Sequence, residues 1–105
     1  VTNPSKQKGD RGERAVVAWL STFRGFLAER VKAGRAIDGG DIVWPDSPWL
    51  LDVKDQRRWM VPAWFAEVED EATQQDLQPL LILKRPGQTD PGRWLAIVRL
   101  EDLEL

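Results

Sequence analysis

Two stretches of the chain place apolar residues at helical spacing. Val16, Val17, Trp19, Leu20 and Phe23 form one stripe, and Trp64, Val68 and Ala72 at i, i+4 and i+8 form another. The first predicts a helix from about Asp10, a suitable N-cap, to about Phe23, where Arg24-Gly25 ends it. The second predicts a helix with Pro62 in its first turn, running to about Gln75. Between them the period shortens. Phe26 to Val31, Asp41 to Trp44 and Trp49 to Lys54 read as strands, the last two joined through Pro45-Asp46-Ser47-Pro48 as a hairpin. Pro79 to Leu83 is apolar throughout, which predicts an interior strand, and Trp94 to Val98 predicts a fifth. Leu100 to Leu103 suits a closing helical turn. The order is α-β-β-β-α-β-β, an α/β fold with a mixed sheet flanked by helices. Residues 1–9 are polar and basic and read as a flexible arm. No linker or repeat divides the 105 residues, so 1–105 is expected to be one domain.

The pattern breaks at a few charged positions. Side chains of a strand alternate between the faces of a sheet, so Leu51 and Val53 share one face while Asp52 and Lys54 share the other. An acid at the centre of such a strand has low β-propensity and needs a reason. Asp41 opens the neighbouring apolar strand, with Asp38 close enough in sequence to assist it. Glu13 falls in line with Val16, Val17 and Leu20, near the middle of the first helix's buried stripe, where an unpaired carboxylate is costly. Taken singly these positions have ordinary readings. Glu13 could sit at a solvated first turn, Asp41 in a turn, and Lys54 at a guarded sheet edge.

Composition narrows the chemistry. The chain has no His, no Cys and no Tyr, which excludes Ser-His and Cys-His nucleophile pairs and zinc sites of thiolate or imidazole. The remaining ligands are carboxylates and carbonyls, which suit hard cations such as Mg²⁺ or Mn²⁺. The lack of cysteine fits a reducing cytoplasm, and no apolar run is long enough to span a bilayer. The net charge of -2 hides an asymmetry. Residues 1–35 carry eight basic residues against three acids, and the remainder carries seven against fourteen. A basic first third is compatible with phosphate binding.

Glu13 on a first helix, Asp41 at a strand start and Asp52-Val53-Lys54 on the next strand resemble the PD-(D/E)XK nuclease superfamily, with its restriction-endonuclease-like fold. The opening Lys6-Gln7-Lys8-Gly9-Asp10-Arg11-Gly12-Glu13, with Gly40-Asp41-Ile42 and Leu51-Asp52-Val53-Lys54, is most similar to the small archaeal-type and phage Holliday-junction resolvases. Gly40 stands where the superfamily's name puts Pro, and Asp52 where the resolvases usually carry Glu.

The resemblance implies a catalytic set of Glu13, Asp41, Asp52 and Lys54. Asp41, Asp52 and the Val53 carbonyl would hold Mg²⁺, for which Mn²⁺ could substitute. Water would attack a DNA phosphodiester in line, without a covalent intermediate. It further implies a homodimer acting on four-way junctions, with Trp59, Trp64 and Trp94 as candidate interface residues, although core packing suits Trp64 and Trp94 as well. Lys6, Lys8, Arg11, Arg14, Arg30, Lys32 and Arg35 are the candidate phosphate contacts, and Lys84-Arg85 could join them. The acid run Glu67, Glu69, Asp70 and Glu71 is expected to face solvent, away from DNA. Two other readings stand beside the resolvase. One is a different nuclease of the superfamily, acting on flaps, mismatches or restriction sites. The other is a non-catalytic DNA-binding module on the same fold.

Overall fold

A computed structural model describes residues 4–23, 29–30, 41–43 and 47–103, with side chains at 11–22, 42 and 47–103. Helix α1 spans Pro4–Phe23 and is followed by strands β1 (Glu29–Arg30), β2 (Asp41–Val43) and β3 (Trp49–Lys54). Helix α2 (Val61–Gln74), β4 (Gln78–Leu83), a 3₁₀ turn at Pro91–Arg93, β5 (Leu95–Ile97) and a second 3₁₀ turn at Leu100–Asp102 complete the order. This is the α-β-β-β-α-β-β succession the hydrophobic pattern predicts. It is an α/β architecture consistent with a restriction-endonuclease-like fold.

The five strands form one sheet in the order β1-β2-β3-β4-β5. β2 and β3 are antiparallel, as the hairpin expectation requires, with Asp41 opposite Asp52 and Ile42 opposite Leu51. β3 and β4 run parallel, so the chain must cross over between them, and α2 is that crossover. β5 returns antiparallel to β4. β4 is thus paired on both sides, and its continuous apolar sequence fits that interior place.

Alternation along the strands builds two core layers. Ile42, Leu51 and Val53 pack with Val16 and Leu20 of α1 and with Trp94. Leu50, Leu81 and Leu83 pack with Val68 and Ala72 of α2. The two helices therefore cover opposite faces of the sheet. Asp52 and Lys54, alternating with Leu51 and Val53, lie on the face that α2 covers.

One helix boundary departs from expectation. α1 begins at Pro4 rather than at an Asp10 cap, so residues 4–9 continue the helix instead of forming an arm. Proline is well suited to a first helical turn, and Ser5 to Lys8 are all helix-compatible. Gly12, buried inside the helix, has a packing role. A Cβ there would come within 3.2 Å of Val53 Cγ1 and 4.0 Å of Asp55 Cβ, so glycine lets α1 lie close against β3. Of the remaining expectations, the first strand is described only at Glu29–Arg30. Its flanks, together with Lys32, Arg35 and Asp38, lie outside the described residues.

Candidate active site

β3 delivers Asp52 and Lys54 to the same face, two residues apart along the strand. The Lys54 Nζ is 3.6 Å from Asp52 Oδ2 and 3.9 Å from Glu67 Oε2 on α2. It also stands 5.8 Å from the centroid of the Trp64 ring. These separations give coulombic attraction rather than short hydrogen bonds. The ammonium is therefore held in a cage of two carboxylates and an aromatic face, with about a quarter of its side chain open to solvent.

Asp52 is buried, 7% exposed, and Glu13 is buried at 3%. Burial pushes the Asp52 carboxyl up from 3.8 to about 6, Lys54 pulls it back in part, and the charges of Glu71 and Glu13 push it further up. Glu13 reaches this field from α1, the helix of the opposite layer. Its neighbour Gly12 is what brings that stretch of α1 against Val53 and Asp55. Asp41 is the register partner of Asp52 on β2, although its side chain lies outside the described residues.

The structure thus pairs Asp52 with Lys54, adds a smaller negative field from Glu13 on α1, and sets the backbone of Asp41 opposite Asp52 on β2. It also corrects the expectation for the acid run on α2. Glu67 pairs with Lys54, and Glu71 acts on Asp52, so two of the four acids border the site instead of pointing away from it. Asp70, by contrast, is exposed and accepts a hydrogen bond from Gln74 at 3.3 Å. A signal for this was present in the sequence. Glu67 and Glu71 sit one residue before Val68 and Ala72, on the flank of the apolar stripe rather than opposite it.

The tryptophans divide by burial. Trp94 is core, and its indole N–H donates to the Gln88 carbonyl at 2.7 Å. Trp64 is half-buried beneath Lys54, while Trp59 is 38% exposed. Among the candidate phosphate contacts, Arg11 and Arg14 are exposed on α1. Lys6 and Lys8 lie on the first turns of α1 and Arg30 on β1, with side chains outside the described residues.

A cavity of about 350 Å³ on the α1 face is lined by Val16, Trp19, Leu51, Ile82, Trp94 and other residues without charge. Among the described residues no ionisable group lines it, whereas Asp52 and Lys54 lie on the opposite face of the sheet.

Among the described residues, no three acids stand close enough to form a ready-made metal cage. The donor chemistry nonetheless fits a hard divalent cation. All the ligating atoms are oxygens, and a buried carboxylate held up to about 6 by burial and neighbouring acids is one whose charge a cation would stabilise.

A mixed sheet between two helices, with an acid and a lysine two residues apart on its third strand, has the form of a PD-(D/E)XK nuclease. The chain matches, over residues 4–102, the family described as "Phage putative PDDEXK endonuclease", and it belongs to that family. The family's activity is endonucleolytic, which implies a DNA substrate, and nucleases of its superfamily generally use divalent metal ions. Nothing among the curated proteins or the solved structures matches the chain. No helix among the described residues is long and apolar enough to cross a membrane.

Proposed function

We propose that the protein is a Mg²⁺-dependent, structure-selective DNA endonuclease, most like a Holliday-junction resolvase, with Glu13, Asp41, Asp52 and Lys54 as its catalytic set. The observation that carries this reading is the buried Asp52 within ion-pair distance of Lys54, with the charge of the buried Glu13 acting on it from α1. Asp41, Asp52 and the Val53 carbonyl would hold the cation, with Mn²⁺ able to substitute. The bound ion supplies a Lewis acid and lowers the pKa of an attacking water.

The protein's own residues do the rest. Lys54, beside Asp52, offsets negative charge building on the phosphate. Glu67 and Trp64 restrain that ammonium so that it need not be ordered during the reaction. Glu13 adds a carboxylate that accepts a hydrogen bond from water entering the site. Burial of Asp52 excludes bulk solvent and strengthens each of these interactions.

A resolvase must nick two opposed strands, so the reading includes a homodimer with two-fold symmetry. The late strands support this. Among the described residues β5 is a sheet edge, and Leu95, Leu100 and Leu103 on and after it are 42%, 83% and 48% exposed. Trp94 does not contribute, because it is buried within the chain.

The test is to incubate the protein with Mg²⁺ and labelled four-way junction, flap, single-stranded and duplex DNA. Paired, symmetric nicks confined to the junction are expected. Cutting of flap or linear DNA without junction preference would favour another nuclease of the superfamily.

A further inference from the structure

We propose that the loop between β3 and α2 is a platform for an unpaired DNA base, with Trp59 stacking on the base and Arg57 and Arg58 holding the flanking phosphates. The inference rests on the nuclease reading above and deepens it, because it assigns the element that would recognise branched or single-stranded structure.

The loop begins right after Lys54, so whatever it binds lies beside the reacting phosphate. Gln56, Arg57, Arg58, Trp59 and Met60 are all exposed, and the chain bends at Arg57 and Arg58. Trp59 is 38% and Met60 54% exposed, an unusual state for two large apolar side chains in succession. Of the tryptophans whose side chains are described, Trp59 is the most exposed. A neighbouring cavity of about 230 Å³ is lined by Asp55, Gln56, Arg57, Lys84, Pro86 and Gly87. The backbone N–H of Lys84 donates to the Lys54 carbonyl at 3.0 Å, which ties the exit of β4 to the exit of β3.

The charges of this region are partitioned. Asp55 is occupied by Lys84, whose Nζ is 3.4 Å away and also stands 5.7 Å from the Trp94 ring centroid. Among the described residues neither Arg57 nor Arg58 pairs with a carboxylate. Two uncompensated guanidiniums next to an exposed indole form a surface suited to a polyanion that carries aromatic rings. Base–aromatic stacking tolerates any sequence, because every base has a π-face, but it requires a base that is not already stacked in a duplex. A second copy of the chain is the other possible occupant. Yet a two-fold interface centred on this loop would oppose Arg57 and Arg58 to their own symmetry mates, an unfavourable meeting of like charges.

The test compares wild type, Trp59→Ala and Trp59→Phe for binding to a labelled short duplex and to the same duplex carrying a single-stranded arm. Binding is measured in Ca²⁺ or EDTA to prevent cutting, with sedimentation of each variant in parallel. Trp59→Ala is expected to weaken binding to the armed DNA about tenfold, while plain duplex binding changes by less than about twofold. Trp59→Phe, which retains an aromatic face, should recover most of the affinity. Equal weakening on both DNAs, or none on either, would overturn the proposal while leaving the nuclease reading intact. A drop in mass for Trp59→Ala would assign the loop to the dimer and also overturn it. If wild type neither binds nor cuts any of these DNAs, both readings fail together.

Discussion

Asp52 is the residue on which the account turns, and its burial gives a thermodynamic signature separate from activity. An acid whose folded pKa lies above its unfolded value binds more protons in the folded state. Its favourable contribution is present below about pH 4 and is lost as the pH rises through about 6. At roughly 1.4 kcal/mol per pKa unit, ionising Asp52 in the metal-free protein costs on the order of 3 kcal/mol. Asp52→Asn removes that titration. In EDTA the variant should gain stability relative to wild type between pH 4 and 7, read as a widening difference in Tm. Mg²⁺ should narrow the gap at pH 7 by binding only wild type. A difference that stays constant with pH would mean that Asp52 is not held in the site as described. Asp52, Lys54 and Glu13 stand out in the chain because each interrupts an apolar pattern of known period. Glu67 and Glu71 give a weaker signal, because four acids in five residues resemble a solvated face and only their place beside Val68 and Ala72 sets them apart. The packing of α2 on the sheet brings Glu67 to Lys54 and the charge of Glu71 to bear on Asp52.

At the scale of elements, the closeness of α1 to β3 determines whether Glu13 reaches the site. Gly12 is where the two elements touch, with Val53 Cγ1 3.2 Å from where a Cβ would stand. Gly12→Val should force the helix outward, costing about 1–3 kcal/mol by overpacking, and should reduce cleavage further by displacing Glu13. Full stability and full activity in this variant would contradict the close approach of helix and strand. The order of elements, the β2–β3 hairpin and the span of α2 follow from the chain's pattern, since turn residues join the two strands and Trp64, Val68 and Ala72 recur at a period near 3.6. The start of α1 does not, because residues 4–12 contain no apolar stripe and two glycines. Helix there has no sequence signal beyond the proline that opens it. In the β3–α2 loop the sequence marks only Trp59, as a candidate interface residue. Arg57, Arg58 and Trp59 follow no period, and their common exposure is visible only in three dimensions.

At the scale of the whole molecule, an acidic chain is asked to bind a polyanion. The basic residues of α1 make this feasible if they face the DNA together with the loops at the ends of β3 and β4. Affinity should then fall steeply with salt despite the net charge of -2. Replacing Lys6, Lys8 and Arg11 with Ala should flatten the slope of log affinity against log salt by about 0.9 for each phosphate that is no longer neutralised. An unchanged slope would place the DNA face elsewhere. The proposed dimer should sediment at twice the 12.0 kDa chain mass without DNA. A strict monomer that also binds a junction one-to-one would contradict the resolvase reading but not the nuclease. The most direct test of the central claim is the cleavage of labelled DNA by wild type and by Asp52→Asn in Mg²⁺ and in EDTA. Wild type should cut the DNA only with Mg²⁺, and the folded Asp52→Asn variant should bind the DNA without cutting it. Cutting by Asp52→Asn at the wild-type rate, or by wild type in EDTA, would contradict that claim.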